Sequence, residues 1–141
     1  MKSEILKRLS ANDVGETGGH QAGILVPKNK QVLAFFPILD PAFKNPRMML
    51  TMREEGSSTR WQFNYIYYNS KMTGGTRNEY RLTCMTKFLW TSNAKSGDEL
   101  RFSLDEDHSY VIGLVRAVEQ GTTDVLSPVL VLSGGWKVIN Y

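Results

Sequence analysis

Residues 61–67 read WQFNYIY, the most regular stretch of the sequence. Aromatic residues occupy every second position, and Gln62, Asn64 and Ile66 lie between them. A period of two is that of a β-strand that buries one of its faces. The stretch therefore predicts a strand whose aromatic side lies in the core of a mainly β protein.

Shorter apolar segments on either side of this strand predict further strands. Their boundaries follow turn-forming pairs such as Asp40-Pro41 and Asn45-Pro46. The predicted strands are 4–9, 24–26, 48–53, 81–88, 100–104, 110–118 and 125–132. Residues 29–39 have apolar residues at helical spacing and predict one helix. Many short strands with one clear helix favour a closed or nearly closed β-barrel.

Length and composition predict one domain spanning residues 1–141. Cys84 is the only cysteine, so an internal disulfide is excluded and we expect a cytoplasmic location. The longest apolar run, residues 32–39, contains Pro37 and is far shorter than the ~20 residues of a membrane-spanning helix. Charged residues follow Met1 closely, so no cleavable signal is predicted. We therefore expect no membrane partner.

Positive charge is concentrated in the first 90 residues, which contain 13 lysines and arginines against 7 acidic residues. Residues 91–141 contain 4 basic and 7 acidic residues. An uneven distribution of this kind favours a polyanionic partner for the basic part, although a basic face can also be simply solvated.

Two polar, glycine-rich segments lie in this basic part. The first arm is residues 7–23, KRLSANDVGETGGHQAG, and the second arm is residues 67–81, YYNSKMTGGTRNEYR. Segments of this composition bury little of themselves, so we expect loops whose polar groups face a ligand. We interpret them as two arms that grip one ligand.

Each arm contains the donors and acceptors that a G·C pair requires. Arginine and lysine match guanine O6 and N7, while aspartate and glutamate accept from the cytosine amino group. The second arm offers Arg77 and Arg81 as donors and Glu79 as acceptor, and the first arm has Asp13 as its acceptor. An acid would repel phosphates, so these acids favour base recognition. Two simpler roles stay open: Glu79 forming a salt bridge with the arginines, and Asp13 capping a turn.

The motifs in the two arms resemble a known family. The first arm contains RLSAND at 8–13, Gly15, TGGHQ at 17–21 and Gly23, and the second contains YYNS at 67–70, Gly74, TRNE at 76–79 and Arg81. In this order and spacing they resemble the DNA-contacting arms of the EcoRII-type restriction endonuclease effector domain. The resemblance covers about a quarter of the chain.

This resemblance implies a B3-like DNA-binding pseudobarrel of about seven strands with one or two short helices. Its two arms would embrace double-stranded DNA from the major groove, with CCWGG as target, one arm on each CC/GG half and the central pair recognised through shape. We expect the residues that recognise bases to be Asn12, Asp13, His20, Gln21, Arg77, Asn78, Glu79 and Arg81. We expect the residues that contact the backbone or support the arms to be Lys7, Arg8, Ser10, Gly18, Gly19, Lys28, Arg60, Asn69, Ser70, Lys71, Thr76 and Tyr80.

The sequence departs from the family pattern in the second arm. Gly75 and Tyr80 stand where a family member has lysines, and Lys71 stands in place of an arginine. Two fewer cations predict weaker phosphate binding or a changed specificity on that arm.

No catalytic site, metal site or cofactor is predicted in this domain. Neither Glu54-Glu55 nor Asp98-Glu99 is followed by the lysine expected of a metal-dependent nuclease site. The resemblance implies that nuclease chemistry, with its Mg²⁺, resides in a separate C-terminal domain of the parent chain. We expect this domain to bind DNA as a monomer. Two alternatives stay open: a small nuclease using Glu54, Glu55 or Asp98, and a single-stranded nucleic-acid module using Trp61 and the tyrosines.

Overall fold

The computed structural model of the chain describes residues 3–16, 23–117 and 129–140. Nine strands and two short α-helices form most of this part. The strands are β1 (Ser3–Arg8), β2 (Ile24–Val26), β3 (Arg47–Glu54), β4 (Arg60–Tyr68), β5 (Glu79–Thr83), β6 (Glu99–Leu104), β7 (Tyr110–Val115), β8 (Val129–Val131) and β9 (Trp136–Asn140). The α-helices are α1 (Lys30–Phe35) and α2 (Thr86–Thr91), and single 3₁₀ turns occupy Ser70–Thr73 and Ser133–Gly135.

The strands form one curled sheet in the order β2-β5-β4-β3-β7-β6-β1-β9-β8. Its described strand pairs are antiparallel except for β3 and β7, which run parallel. The indole Nε1 of Trp136 on β9 donates a hydrogen bond to the carbonyl oxygen of Leu25 on β2, at 3.1 Å. This bond joins β2, at one end of the strand order, to β9, the strand next to the other end, and so helps to close the curled sheet into a pseudobarrel. The predicted fold class is confirmed.

The aromatic side of β4 faces the core, as the period-two pattern predicts. Phe63 and Tyr65 are fully buried, and Trp61 and Tyr67 pack against the same core cluster. Burial raises the pKa of Tyr65 above its ordinary value, because the charged phenolate would lose its hydration. These rings pack against the protein itself, which weighs against the alternative of an aromatic platform for single-stranded nucleic acid on this strand.

Helix α1 is predicted correctly in type and start but not in length. It begins after Asn29, whose Oδ1 accepts from the backbone N–H groups of Gln31 and Val32 at 2.8 and 3.3 Å. It ends at Phe35 rather than at Leu39. Phe36 has an extended backbone because it precedes Pro37, whose ring disfavours the helical conformation of the preceding residue.

The predicted strand over residues 81–88 is wrong beyond Thr83. Cys84 has a φ of +66°, which ends the strand, and α2 follows. Met85, Phe88 and Leu89 are buried at the i, i+3, i+4 spacing of a helix face. The helical spacing of these three residues is present in the sequence, whereas the predicted strand runs through it.

The C-terminal part contributes the last two strands. The predicted strand 125–132 is observed at Val129–Val131, and residues 118–128 lie outside the described part. Trp136–Asn140 forms a further strand that the sequence analysis leaves unassigned. The described sheet therefore has nine strands rather than about seven. In the described residues, no helix has the length and apolar character needed to cross a membrane.

Candidate nucleic-acid interface

A cleft of about 430 Å³ lies between the two arms. Asn12 and Asp13 line it from the first arm, and Tyr68 and Arg77 line it from the second. Its floor includes outward-facing residues of β3, β4 and β5, on the side of the sheet opposite the aromatic core. The structure therefore brings the described parts of both arms to one site.

A charged array of Arg77, Glu79 and Arg81 lies at the junction of the second arm and β5. Glu79 Oε1 accepts from Arg77 Nε and Nη2 at 3.1 and 2.7 Å, and from Arg81 Nε at 3.2 Å. The Arg77 hydrogen bonds lower the pKa of Glu79, and Arg81 adds to this against the opposing effect of partial burial. The ionised carboxylate therefore favours folding above the ordinary carboxyl pKa, and this contribution is lost as the pH falls through the lowered value.

This array keeps N–H donors for a ligand. A guanidinium has five N–H donors, and the hydrogen bonds from Arg77 to Glu79 use its Nε and one of its Nη2 hydrogens. The Arg77 guanidinium carbon lies 3.7 Å from the centre of the Tyr68 ring, so the group is also held by a cation–π contact. Arg81 donates from its Nε and Nη2 to Glu79 and from its Nη1 to the Gly23 carbonyl. The salt bridge is thus present in the free chain, and each arginine keeps N–H donors that these hydrogen bonds do not use.

Asn78 is held by the barrel beneath it. The Tyr67 hydroxyl donates to Asn78 Oδ1 at 2.7 Å. This bond assigns the carbonyl end of the amide to Tyr67 and turns the –NH₂ end away from that tyrosine, so Asn78 presents donors on its other side.

The base of the second arm is fixed by Asn69 and Ser70. Asn69 is buried; its Nδ2 donates to the Phe43 carbonyl at 2.8 Å and its Oδ1 accepts from the Asn45 N–H at 2.9 Å. Ser70 Oγ accepts from the Arg77 N–H at 3.2 Å. Both residues are placed to support the arm from within.

Gly75 and Tyr80, the two second-arm positions at which the family resemblance implies lysines, fit their local packing. A Cβ at Gly75 would lie 2.7 Å from Ser70 Oγ, so a lysine there would require the turn to shift. The Tyr80 ring stacks on Tyr67 at 4.3 Å, on the inner side of β5. Lys71 and Thr76 are exposed on the arm itself.

The described part of the first arm is a hydrogen-bonded turn attached to the barrel through Lys7. Asp13 Oδ2 accepts from the Ser10 N–H at 2.9 Å, and Ser10 Oγ accepts from the Asp13 N–H at 3.1 Å. Lys7 is buried, and its Nζ donates to the Gly134 carbonyl at 2.5 Å and lies 3.4 Å from Asp13. Asp13 therefore caps a turn, which is the simpler of the two roles considered for it. It also lines the cleft.

Ser10→Ala is expected to lower the free energy of unfolding by about 1 kcal/mol, because the Asp13 N–H loses its acceptor in an exposed turn. Urea denaturation followed by tryptophan fluorescence measures this change. Ser10→Thr retains the hydroxyl and serves as the control. A variant as stable as the original chain would contradict the role assigned to this turn.

The remaining predicted site residues are distributed unevenly. Arg8 is exposed just before the turn, Asn12 is exposed within it, and Lys28 is exposed after β2. Arg60 begins β4, roughly 26 Å along the strand from Tyr68 at about 3.3 Å per residue, so the structure does not bring it to the arms. The predicted residues outside the described part are Gly18, Gly19, His20 and Gln21.

Two of the three acids considered for a nuclease site, Glu55 and Asp98, are paired with arginines. Glu55 accepts two hydrogen bonds from Arg101. Burial of Asp98 favours its neutral form, but hydrogen bonds from two backbone N–H groups and from Arg116 outweigh this and lower its pKa. Within residues 3–16, 23–117 and 129–140, no three histidine, cysteine or acidic side chains form a group able to hold a metal ion.

The cleft also contains residues that the sequence analysis did not assign to the site. Asn64 and Tyr68 occupy the outward positions of the β4 alternation, so the period-two pattern already implied where they point. Arg47 lines the cleft because β3 pairs with β4. Strand pairing of this kind cannot be derived from the sequence pattern.

Residues 3–105 match the family described as Restriction endonuclease EcoRII, N-terminal. The chain belongs to the EcoRII N-terminal family. Over 79 residues it is 42% identical to the Type II restriction enzyme EcoRII of Escherichia coli, a match that covers 55% of this chain and 20% of that enzyme. The chain thus spans about a fifth of the length of this EcoRII relative.

Solved structures place this EcoRII N-terminal chain among B3-like folds. The structure titled Arabidopsis FUS3-DNA complex aligns with a TM-score of 0.62 at 23% identity, covering 79% of this chain and 95% of that chain. The B3 domain of the UbaLAI restriction endonuclease, solved with cognate DNA, aligns with a TM-score of 0.51 at 25% identity. This second alignment covers 80% of this chain and 67% of that chain. The B3-like pseudobarrel expected from the sequence is confirmed.

Proposed function

We propose that this chain binds double-stranded DNA sequence-specifically, through the cleft between its two arms. The observation that carries the proposal is the array of Arg77, Glu79 and Arg81, which sets a carboxylate acceptor between two guanidinium donors beside that cleft. Guanine and cytosine present the complementary acceptors and donor in the major groove. Membership of the EcoRII N-terminal family, and the DNA complexes of its structural relatives, support this function.

The proposed target is CCWGG, approached from the major groove. The second arm acts on one CC/GG half and the first arm, with Asn12, Asp13, His20 and Gln21, acts on the other. The central A·T pair is recognised through its shape. Two unlike arms serve the two halves without a symmetric partner, so the domain binds as a monomer.

The proposed role is recognition without catalysis, as one part of a type II restriction endonuclease. The chain matches about a fifth of EcoRII, which supports a larger parent enzyme whose separate nuclease domain uses Mg²⁺. The arginine pairing of Glu55 and Asp98 supports structural roles for these acids. Incubation of the purified chain with plasmid DNA and Mg²⁺ is expected to leave the DNA intact. Cleavage that a chelator abolishes would contradict this part of the proposal.

The deciding experiment measures duplex binding at fixed salt by fluorescence anisotropy. The two duplexes differ at a single outer G·C pair of CCWGG, and single-stranded CCWGG is the control. We expect a preference of ~10-fold or more for the intact duplex site, since one altered base pair usually costs ~1 to 3 kcal/mol. Equal binding to both duplexes would contradict the CCWGG target, and tighter binding to the single strand would contradict duplex recognition.

A further inference from the structure

Arg47 lies at a third position in the cleft, outside both arms. It begins β3 and lines the same cleft as Asn12, Asp13, Tyr68 and Arg77. Its side chain is exposed. The register places it opposite Ile66 of β4, on the side of the sheet that faces away from the core.

The Arg47 guanidinium differs from the other cleft cation in its charge environment. Arg77 is paired with Glu79, and the first-arm acid Asp13 lies against Lys7. Among the described residues, Arg47 forms no ion pair; its Nε donates to the carbonyl oxygen of Asn45 at 3.3 Å. Of the two cations that line the cleft among the described residues, Arg77 has an acidic partner and Arg47 has none.

The position of Arg47 is coupled to the second arm. Asn45, which accepts from the Arg47 Nε, exchanges two hydrogen bonds with Asn69, at 2.9 and 3.2 Å. The Tyr67 N–H donates to the Pro46 carbonyl at 3.0 Å. The segment that carries Arg47 is therefore tied to the base of the second arm, and the cation is held at a defined place relative to it.

We propose that the Arg47 guanidinium binds a backbone phosphate of duplex DNA held between the two arms. This rests on the DNA-binding function proposed above. A phosphate is the expected ligand because most hydrogen bonds from proteins to DNA go to the phosphates and sugars, and Arg47 lies outside both arms, which contain the residues proposed to recognise bases. An exposed guanidinium without an acidic partner provides the charge and the paired donors that a phosphate requires.

The test compares Arg47→Gln with the original chain on the intact and altered CCWGG duplexes, over a series of salt concentrations. The logarithm of the association constant falls as the logarithm of the salt concentration rises. Removal of one phosphate contact is expected to make this slope less steep by about 0.9, which weakens binding about 8-fold at 0.1 M salt. The loss is expected to be equal on both duplexes. Arg47→Lys retains the charge and is expected to retain the slope.

Arg53→Gln is the matched control, because it removes the same charge from the same face of β3, six residues or about 20 Å along the strand from Arg47. Thermal unfolding of each variant establishes that it is folded. An unchanged slope for Arg47→Gln would overturn the proposal, and so would a loss confined to the intact CCWGG duplex, which would indicate base recognition. Absence of any preference by the original chain would instead contradict the CCWGG target, while the slope comparison would still test Arg47.

Discussion

Glu79→Ala is expected to reduce discrimination at one G·C pair of the target by about 1–3 kcal/mol, or roughly 5- to 150-fold. The carboxylate is the acceptor for the cytosine amino group in the proposed complex. It also aligns Arg77 and Arg81 through the hydrogen bonds to its Oε1. Its removal also takes away a negative charge, so binding to unrelated DNA is expected to strengthen while specificity falls. Anisotropy titrations on duplexes altered at each outer pair in turn measure both effects.

Three further variants separate charge from base recognition. Glu79→Gln retains a carbonyl acceptor without the charge and is expected to lose less discrimination than Glu79→Ala. Arg77→Ala is expected to lose discrimination at the same pair, and the double variant is expected to lose less than the sum, because the two side chains are hydrogen-bonded to each other. Equal weakening on intact and altered duplexes would show that these residues contact only the backbone.

Trp136→Ala is expected to lower the free energy of unfolding by about 3–5 kcal/mol. The side chain is buried and its ring is stacked on Phe102 at 6.2 Å, so truncation leaves a cavity in the core. The same change removes the hydrogen bond to Leu25 that joins β9 to β2. Urea denaturation followed by circular dichroism measures the loss.

Trp136→Phe distinguishes packing from closure of the sheet. Phenylalanine retains much of the buried ring but cannot donate to the Leu25 carbonyl, so we expect a smaller loss, with about 1 kcal/mol due to the missing hydrogen bond. Hydrogen exchange of the β2 amides should increase in this variant. A Trp136→Ala variant that unfolds at the same urea concentration as the original chain would contradict this account of closure.

The fold could be predicted where a local pattern carries the information. The alternation of residues 61–67 identifies β4 and its buried face without further help. At the boundary between β5 and α2 the sequence contains the helical spacing of Met85, Phe88 and Leu89, but no local pattern marks the left-handed backbone of Cys84 that ends the strand. The order of the strands, including the parallel pair of β3 and β7, depends on contacts between distant segments.

The candidate site, too, can be predicted only where a local motif carries the information. The composition of the arms and their family motifs single out Arg77, Glu79 and Arg81, and the structure brings these three together. The sequence predicts that Asn69 contacts the DNA backbone or supports the arm. Its burial and its hydrogen bonds to Asn45 and Phe43 identify the supporting role. Arg47 carries no motif and enters the cleft through strand pairing alone.

The position of β1 has a consequence for folding during synthesis. Among the described strands it is made first, but its neighbours are β6 and β9, so Ile5 pairs with Phe102 on one side and with Val138 on the other. Pairings over such sequence distances form slowly, on the order of milliseconds to seconds. Strands β3, β4 and β5 can pair as soon as they emerge from the ribosome. Lys7 cannot reach the Gly134 carbonyl until synthesis has passed Gly134. The second arm can therefore be formed on the ribosome before the first arm has its attachment.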